Sequence, residues 1–274
     1  MTAAPVLELR GVSKRFGAIQ ALTDVDLEIR AGEVTALVGD NGAGKSTLVK
    51  TISGVHPIDA GSIAFKGETV RVTRPHDAQE LGIATVYQDL ALCDNLDVVA
   101  NLFLGREIRT RHVLDQVAME QQARELLDTL SIRIPSVRVP VASLSGGQRQ
   151  VVAIARALIG SPEVVILDEP TAALGVEQTA QVLDLVERLR DQGLAILLIS
   201  HNMADVRAVA DRVAVLRLGR NNGVFRVADT TGEEIIAAIT GATDNAASRR
   251  LSRAGTGQPD APSGESASAK EGQR

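Results

Sequence analysis

Apolar and other residues alternate from Leu7 to Val12 and again from Val25 to Ile29, the period of a strand that buries one face. The chain therefore opens as antiparallel sheet. Val34 to Val38 reads as a short apolar strand, and Leu48 to Ile52 as the first turns of a helix. A turn-rich connector from Gly54 to Gly61 leads into a predicted hairpin, Ser62 to Phe65 and Thr69 to Val72, around Lys66-Gly67-Glu68. Pro75 opens a short helix that Gly82 closes, because proline's fixed φ suits a first turn and glycine tolerates a left-handed exit. Ile83 to Tyr87 is the next strand and ends at Gln88.

From Asn95 to Ser143 the period changes. Val98, Val99, Leu102 and Phe103, then Val117, Ala123, Leu126, Leu127 and Leu130, recur at spacings of three and four, which predicts a helical subdomain inserted over approximately 95–160. Pro135 to Pro140 is an extended linker. Arg149 to Ile159 follows as a buried helix, with Ser145 a natural N-cap ahead of it. Val164 to Leu167 and Ala195 to Ile199 are unbroken apolar runs, the mark of strands covered on both faces. Val213 to Leu216 and Val224 to Val227 read as strands around a turn from Gly219 to Gly223, and Thr231 with Glu234 forms a capping box for a helix from Glu233 to Ile239 that Gly241 stops. From Ala242 to Arg274 no apolar period survives, and a disordered tail is expected.

Reactive residues gather at the ends of the buried strands. After Val38, the run Gly39-Asp40-Asn41-Gly42-Ala43-Gly44-Lys45-Ser46-Thr47 fits the phosphate-loop pattern G-x-x-x-x-G-K-[ST] between a strand and a helix. There the backbone N–H groups and the helix dipole favour an anion, Lys45 reaches terminal phosphates, and the Ser46 hydroxyl can ligate Mg²⁺. After Leu167 come Asp168 and Glu169, two carboxylates at the rim of a buried sheet that need a cation or a water beside them. After Ile199 comes Ser200-His201, a third reactive group at a strand's carboxyl end, where open α/β sheets bind ligands. Gln88 either coordinates Mg²⁺ or orients a water, or simply faces solvent. Ser145-Gly146-Gly147, ahead of a helix, makes a second anion-binding turn or a well-capped helix start. Phe16 either stacks on a purine or belongs to the core.

Composition narrows the partners. The 274 residues are 45% hydrophobic, enough for a large core, yet there is no Trp and only one Tyr, so surfaces on which bases stack are scarce. A formal net charge of -5 also argues against duplex nucleic acid. The single cysteine, Cys93, cannot form an intrachain disulfide, which fits a reducing cytoplasm. Met1 to Val6 lacks an export pattern and no apolar run reaches membrane-spanning length, so work at a membrane would need another subunit as anchor.

Over roughly Val6 to Gly241 these residues resemble the ATP-binding cassette ATPases. The phosphate loop, Gln88, the signature Leu144-Ser145-Gly146-Gly147-Gln148, Asp168-Glu169 and His201 occur in that family's order. The resemblance implies an α/β fold: a RecA-like P-loop NTPase core with an antiparallel β subdomain and an inserted helical subdomain, in a cassette covering 1–241. It implies ATP and Mg²⁺ as cofactors, and two copies packed head to tail, each ATP held between one phosphate loop and the other copy's signature. In that scheme Phe16 matches the adenine-stacking aromatic, Gly39 to Thr47 the phosphate cradle, and Ser46, Gln88 and Asp168 the Mg²⁺ site. Glu169 matches the base that polarises water and His201 the switch on the γ-phosphate. Ser145, Gly146, Gly147 and Gln148 would serve the partner's nucleotide.

A narrower resemblance joins Gly82 to Gln88, Asp94 to Asn101 and Asp168 to Gly175 to the ATPases of bacterial ribose, xylose and fructose importers. It implies membrane-spanning permease subunits as partners, a homodimer or paired cassette, an indirect role for a periplasmic or extracellular sugar-binding protein, and no nucleic acid. The expected place is the cytoplasmic face of the cell membrane. Importers of other solutes and soluble cassettes acting on ribosomes or nucleic acid are the alternatives. Two departures stand out: there is one cassette where such ATPases commonly carry two, and Gly175 stands where many cassettes have aspartate.

Overall fold

The computed structural model describes residues 4–242. The tail expected from Ala242 onward lies, beyond its first residue, outside them. In chain order the elements are β1 (Pro5–Phe16), β2 (Ile19–Arg30), β3 (Val34–Val38), α1 (Lys45–Ile52), β4 (Ala60–Phe65), β5 (Glu68–Val70), α2 (Pro75–Glu80) and β6 (Ile83–Val86). Next come α3 (Val98–Phe103), the two-residue strands β7 (Arg109–Thr110) and β8 (Val113–Leu114), α4 (Gln116–Thr129), α5 (Gly146–Leu158) and β9 (Val164–Asp168). The remainder is α6 (Val176–Asp191), β10 (Ala195–Ile199), α7 (Met203–Val209), β11 (Arg212–Arg217), β12 (Arg220–Arg226) and α8 (Gly232–Thr240).

Two sheets result. One is antiparallel in the order β2-β1-β4-β5; the other runs β12-β11-β3-β10-β9-β6, parallel throughout except for β12 at its edge. Alternation along the buried strands explains the layering. Val34, Ala36, Val165, Leu167, Ile196 and Leu198 face a core shared with the helices α3 to α8, whereas Leu37, Val164, Ile166, Leu197 and Ile199 face a second core shared with α1 and the antiparallel sheet. Each strand thus buries both faces, as its nearly unbroken apolar run requires. Burying one such side chain stabilises by roughly 1.5–3 kcal/mol. A polar clasp joins the sheets: Asn221 accepts from the Asp26 N–H at 2.7 Å and donates to the Asp26 carbonyl at 2.9 Å.

Several elements differ from expectation. Helix α5 starts at Gly146 and not Arg149, because Ser145 caps it directly. The β11–β12 turn is Leu218-Gly219, both at positive φ (48° and 75°), since a two-residue primed turn matches strand twist better than the five-residue turn expected from Gly219 to Gly223. Within the helical stretch a small β7–β8 hairpin intervenes, and Val117, expected on the apolar face of α4, is 78% exposed. Helices α6 and α7 have no counterpart in the sequence reading. The buried residues of α3, α4 and α5 form one continuous cluster with the helix side of the parallel sheet.

Candidate functional site

Strand order decides where the chemistry meets. β3, β10 and β9 are neighbours and parallel, so the loops after Val38, Ile199 and Asp168 leave the same edge of the sheet side by side. Between β3 and α1 the chain needs two glycines for space. A Cβ at Gly39 would lie 2.2 Å from the Leu216 carbonyl oxygen, and one at Gly44, whose φ is +105°, would lie 2.9 Å from the Ala21 carbonyl oxygen. The N-cap of α1 is Gly44, which offers no side-chain acceptor, so the first-turn N–H groups are left for a ligand. Lys45 is buried, and its ammonium donates to the carbonyls of Gly39 at 2.6 Å and Asp40 at 3.1 Å. Phosphate oxygens are stronger acceptors for that charge than two carbonyls.

Asn41 to Thr47, Gln88, Asp168 and Glu169 line one open cleft of about 700 Å³. Gly39, Asp40, Asn41, Glu169 and His201 line a neighbouring cleft of about 460 Å³. Burial pushes the Asp168 carboxyl up from its ordinary value and the adjacent Glu169 adds to the push, while Lys45 and Lys50 oppose it. Glu169 sits at φ +50°, a conformation strained for a non-glycine residue, and its N–H donates to the Ile199 carbonyl at 2.9 Å. His201, largely exposed, places Nδ1 3.1 Å from Glu169 Oε1. Among the described residues no three His, Cys, Asp or Glu side chains are grouped to hold a metal. A divalent cation here would depend on ligand oxygens added to the Ser46 hydroxyl, the Gln88 amide and the Asp168 carboxylate. That all-oxygen set suits Mg²⁺, and the elevated Asp168 pKa marks a carboxylate that a cation would relieve.

Phe16 is not core: it is 40% exposed at the end of β1, edge-on to His56 with ring centroids 5.0 Å apart. Ile19 and Gln20, three and four residues further on, reach the 700 Å³ cleft. The signature turn is not brought to the phosphate loop. Ser145 and Gln148 line a separate cleft of about 610 Å³ against α6. There Ser145 Oγ accepts from the Gln148 N–H at 3.2 Å and the Ser145 N–H donates to Gln148 Oε1 at 3.0 Å, a complete capping box.

Three supporting residues escaped the sequence reading. Asp205, buried on α7, accepts from Thr171 Oγ1 at 2.7 Å and from Asn202 Nδ2 at 2.9 Å, tying the loop after Glu169 to the loop after His201. Asn101, fully buried on α3, holds the 93–97 turn with its amide. Arg156 on α5 donates to the carbonyls of Leu90 at 2.9 Å and Ala91 at 2.8 Å, fixing the segment after Gln88 to the signature helix; burial pulls its pKa down. Asn202 as N-cap three residues before Asp205 is a local signal, and Asn101 bonds residues four to eight positions back, whereas Arg156 and the Thr171–Asp205 pair act across long sequence separations.

Comparison with known proteins agrees with this fold. The profile of the ABC transporter family matches residues 22–172. A xylose/arabinose import ATP-binding protein of Sulfolobus acidocaldarius is 47% identical over 86% of this chain and 94% of its own length. A fructose import ATP-binding protein of Rhizobium meliloti is 46% identical over 89% and 97%. A ribose import ATP-binding protein of Rubrobacter xylanophilus is 44% identical, but the match spans only 47% of that longer protein. Among solved structures, an ATP-binding cassette of an ABC transporter superposes with a TM-score of 0.77 at 24% identity, covering 86% of this chain and 99% of that one. A dimeric post-hydrolysis cassette bound to ADP and Pi superposes at 0.68 with 25% identity, covering 81% and 98%. The profile match over residues 22–172 and relatives 46–47% identical over most of both chains, on a fold shared with these cassettes and with Asp168 and Glu169 together at the end of β9, place this chain in the ABC transporter family as an ATP-binding cassette ATPase.

Proposed function

We propose that the chain powers import of a monosaccharide, hydrolysing ATP as a pair of copies bound to membrane-spanning permease subunits. The observation that carries the pairing is the separation of Ser145 from the phosphate loop: one chain offers a cradle and a lid in different clefts. Head-to-tail pairing lets each copy's Ser145 to Gln148 turn close on the other's nucleotide. The sugar class rests on the names of the relatives.

Within one copy, the N–H groups before and at the start of α1 bind the phosphates, Lys45 neutralises them, and Phe16 stacks on the adenine. Ser46, Gln88 and Asp168 would hold Mg²⁺, which supplies charge neutralisation for the transferred phosphoryl group. Glu169 polarises the attacking water, and His201, 3.1 Å from it, orients that carboxylate and contacts the γ-phosphate. Residues 1–241 act as one cassette in which the helical part, roughly 95–160, moves the signature. Among the described residues no helix is long and apolar enough to cross a membrane. The groove of about 270 Å³ between Tyr87, Leu90, Leu102, Leu104, Arg106 and Arg156 is where the permease would dock, holding the ATPase on the cytoplasmic face. An external sugar-binding protein would deliver the sugar to that permease, and nucleic acid has no part.

Glu169→Gln keeps the shape and removes the charge, so the variant should bind ATP and accumulate as a dimer. Hydrolysis at the wild-type rate in that variant would sink the assignment. For the sugar, loss of the gene should abolish growth on ribose, xylose or fructose as sole carbon source. Unchanged growth on all three would point to another solute.

A further inference from the structure

Helices α5 and α6 approach unusually closely at their N-termini. A Cβ at Gly147 would lie 2.8 Å from both Cβ and Cγ of Gln178, and one at Gly146 3.4 Å from Leu174 Cδ2. The side chain that closes on Gly147 also holds the loop that leaves Glu169, because Gln178 Oε1 accepts the Gly175 N–H at 2.8 Å. That loop is a succession of tight turns. The Ala172 N–H donates to the Glu169 carbonyl at 3.1 Å, the Leu174 N–H donates to the Thr171 carbonyl at 3.3 Å, and Ala173 sits at φ +60°. Gly175 has no side chain with which to cap α6. Gln178 instead reaches back to the N–H of Gly175 itself, as Gln148 does for Ser145 one helix away. An aspartate at 175 would supply the other half of the box by accepting the Gln178 N–H; with glycine, the Gln178 side chain alone links the two elements, its Cβ and Cγ against Gly147 and its amide oxygen on the Gly175 N–H.

We propose that Gln178 is a positioning residue for ATP turnover, clamping the signature turn that one copy lends its partner against the loop that follows the same copy's Glu169. The two half-sites carried by one chain then shift as a unit, so the state of the cradle is felt at the lid offered to the other site. This rests on the head-to-tail pairing proposed above.

The test uses the full-length chain carrying Glu169→Gln, in which ATP should drive dimer formation that is followed by sedimentation at increasing ATP. Gln178→Met, added to it, keeps the length that packs on Gly147 and removes the oxygen that holds Gly175. About tenfold more ATP should then be needed for half-maximal dimerisation, the loss expected for one hydrogen bond. ATP binding by the dilute monomer, read with a fluorescent ATP analogue, should be unchanged, since the cradle is untouched. Gln178→Glu retains an acceptor oxygen and should return dimerisation to within about twofold of the parent. Gln178→Leu provides a second acceptor-free variant should the methionine fail to fold. Dimerisation at the parental ATP concentration in both acceptor-free variants, or a glutamate variant as defective as they are, would overturn the clamp. So would a fall in monomer affinity that matches the loss of dimer. Failure of the Glu169→Gln parent itself to dimerise would instead remove the pairing, and the clamp with it.

Discussion

Asn101→Ala is the sharpest test of how the segment between Gln88 and the signature helix is held. The Asn101 amide is fully buried and donates to the carbonyls of Cys93, Leu96 and Asp97 at 2.9, 3.2 and 3.0 Å, while its oxygen accepts from the Cys93 N–H at 2.7 Å. The three carbonyls keep other donors: Cys93 has the Leu96 N–H, Leu96 the Val141 N–H, and Asp97 the N–H of residue 101 itself. The Cys93 N–H loses its acceptor. Leaving this half-buried donor without its acceptor costs up to about 1–3 kcal/mol, and the cavity at the fully buried Asn101 side chain adds to it, so a loss of about 2–4 kcal/mol is expected in urea unfolding. Asn101→Asp separates the two halves of the amide. It keeps an oxygen for the Cys93 N–H but turns a second oxygen toward three carbonyls, which favours the protonated acid. The folded pKa of that aspartate then lies above its unfolded value, so its stability is fullest below the unfolded value and is lost as pH rises through the folded one. The deficit relative to wild type should accordingly be smaller at pH 5 than at pH 8. A midpoint for Asn101→Ala within about 0.5 kcal/mol of wild type would refute the claim that this amide staples the turn.

Three other substitutions probe the cleft. Asp168→Asn should raise the melting temperature of the nucleotide-free chain at neutral pH, because burial and Glu169 penalise the ionised carboxylate there. The same penalty is relieved in wild type as pH falls through the raised pKa, so the advantage of the variant should shrink toward acid pH, and hydrolysis should be lost at every pH. Gly39→Ala should abolish ATP binding and destabilise the fold by more than about 2 kcal/mol, since its Cβ meets a backbone oxygen that cannot swing away; a folded variant with normal ATP affinity in calorimetry would contradict this. Phe16→Ala, at an exposed position, should leave the melting temperature within a degree or two, yet weaken ATP binding by about 1 kcal/mol or more through lost stacking, a deficit that titration with ATP would read directly.

What the amino-acid sequence determined by itself were the pieces whose cause is local. The phosphate loop follows from glycine sterics between Val38 and Lys45, the Ser145 and Thr231 caps from side chains that bond backbone three residues away, and β3, β9 and β10 from apolar runs. Helix α6, absent from the expectations above, carried a local signal of the same kind, for Val182, Leu185, Val186 and Leu189 recur at three and four residues and are all buried. Only the tertiary structure decided which pieces meet. The order β3-β10-β9 sets Glu169 beside His201, Asp205 bonds Thr171 across 34 residues, and Arg156 reaches Leu90 across 66. Val117 has the right spacing for a core position and faces outward because no element packs over it at the start of α4. Local sterics and capping depend on a few consecutive residues and can be read from them. Contact between distant segments depends on which buried faces find each other, and that is settled by the packing of the whole chain.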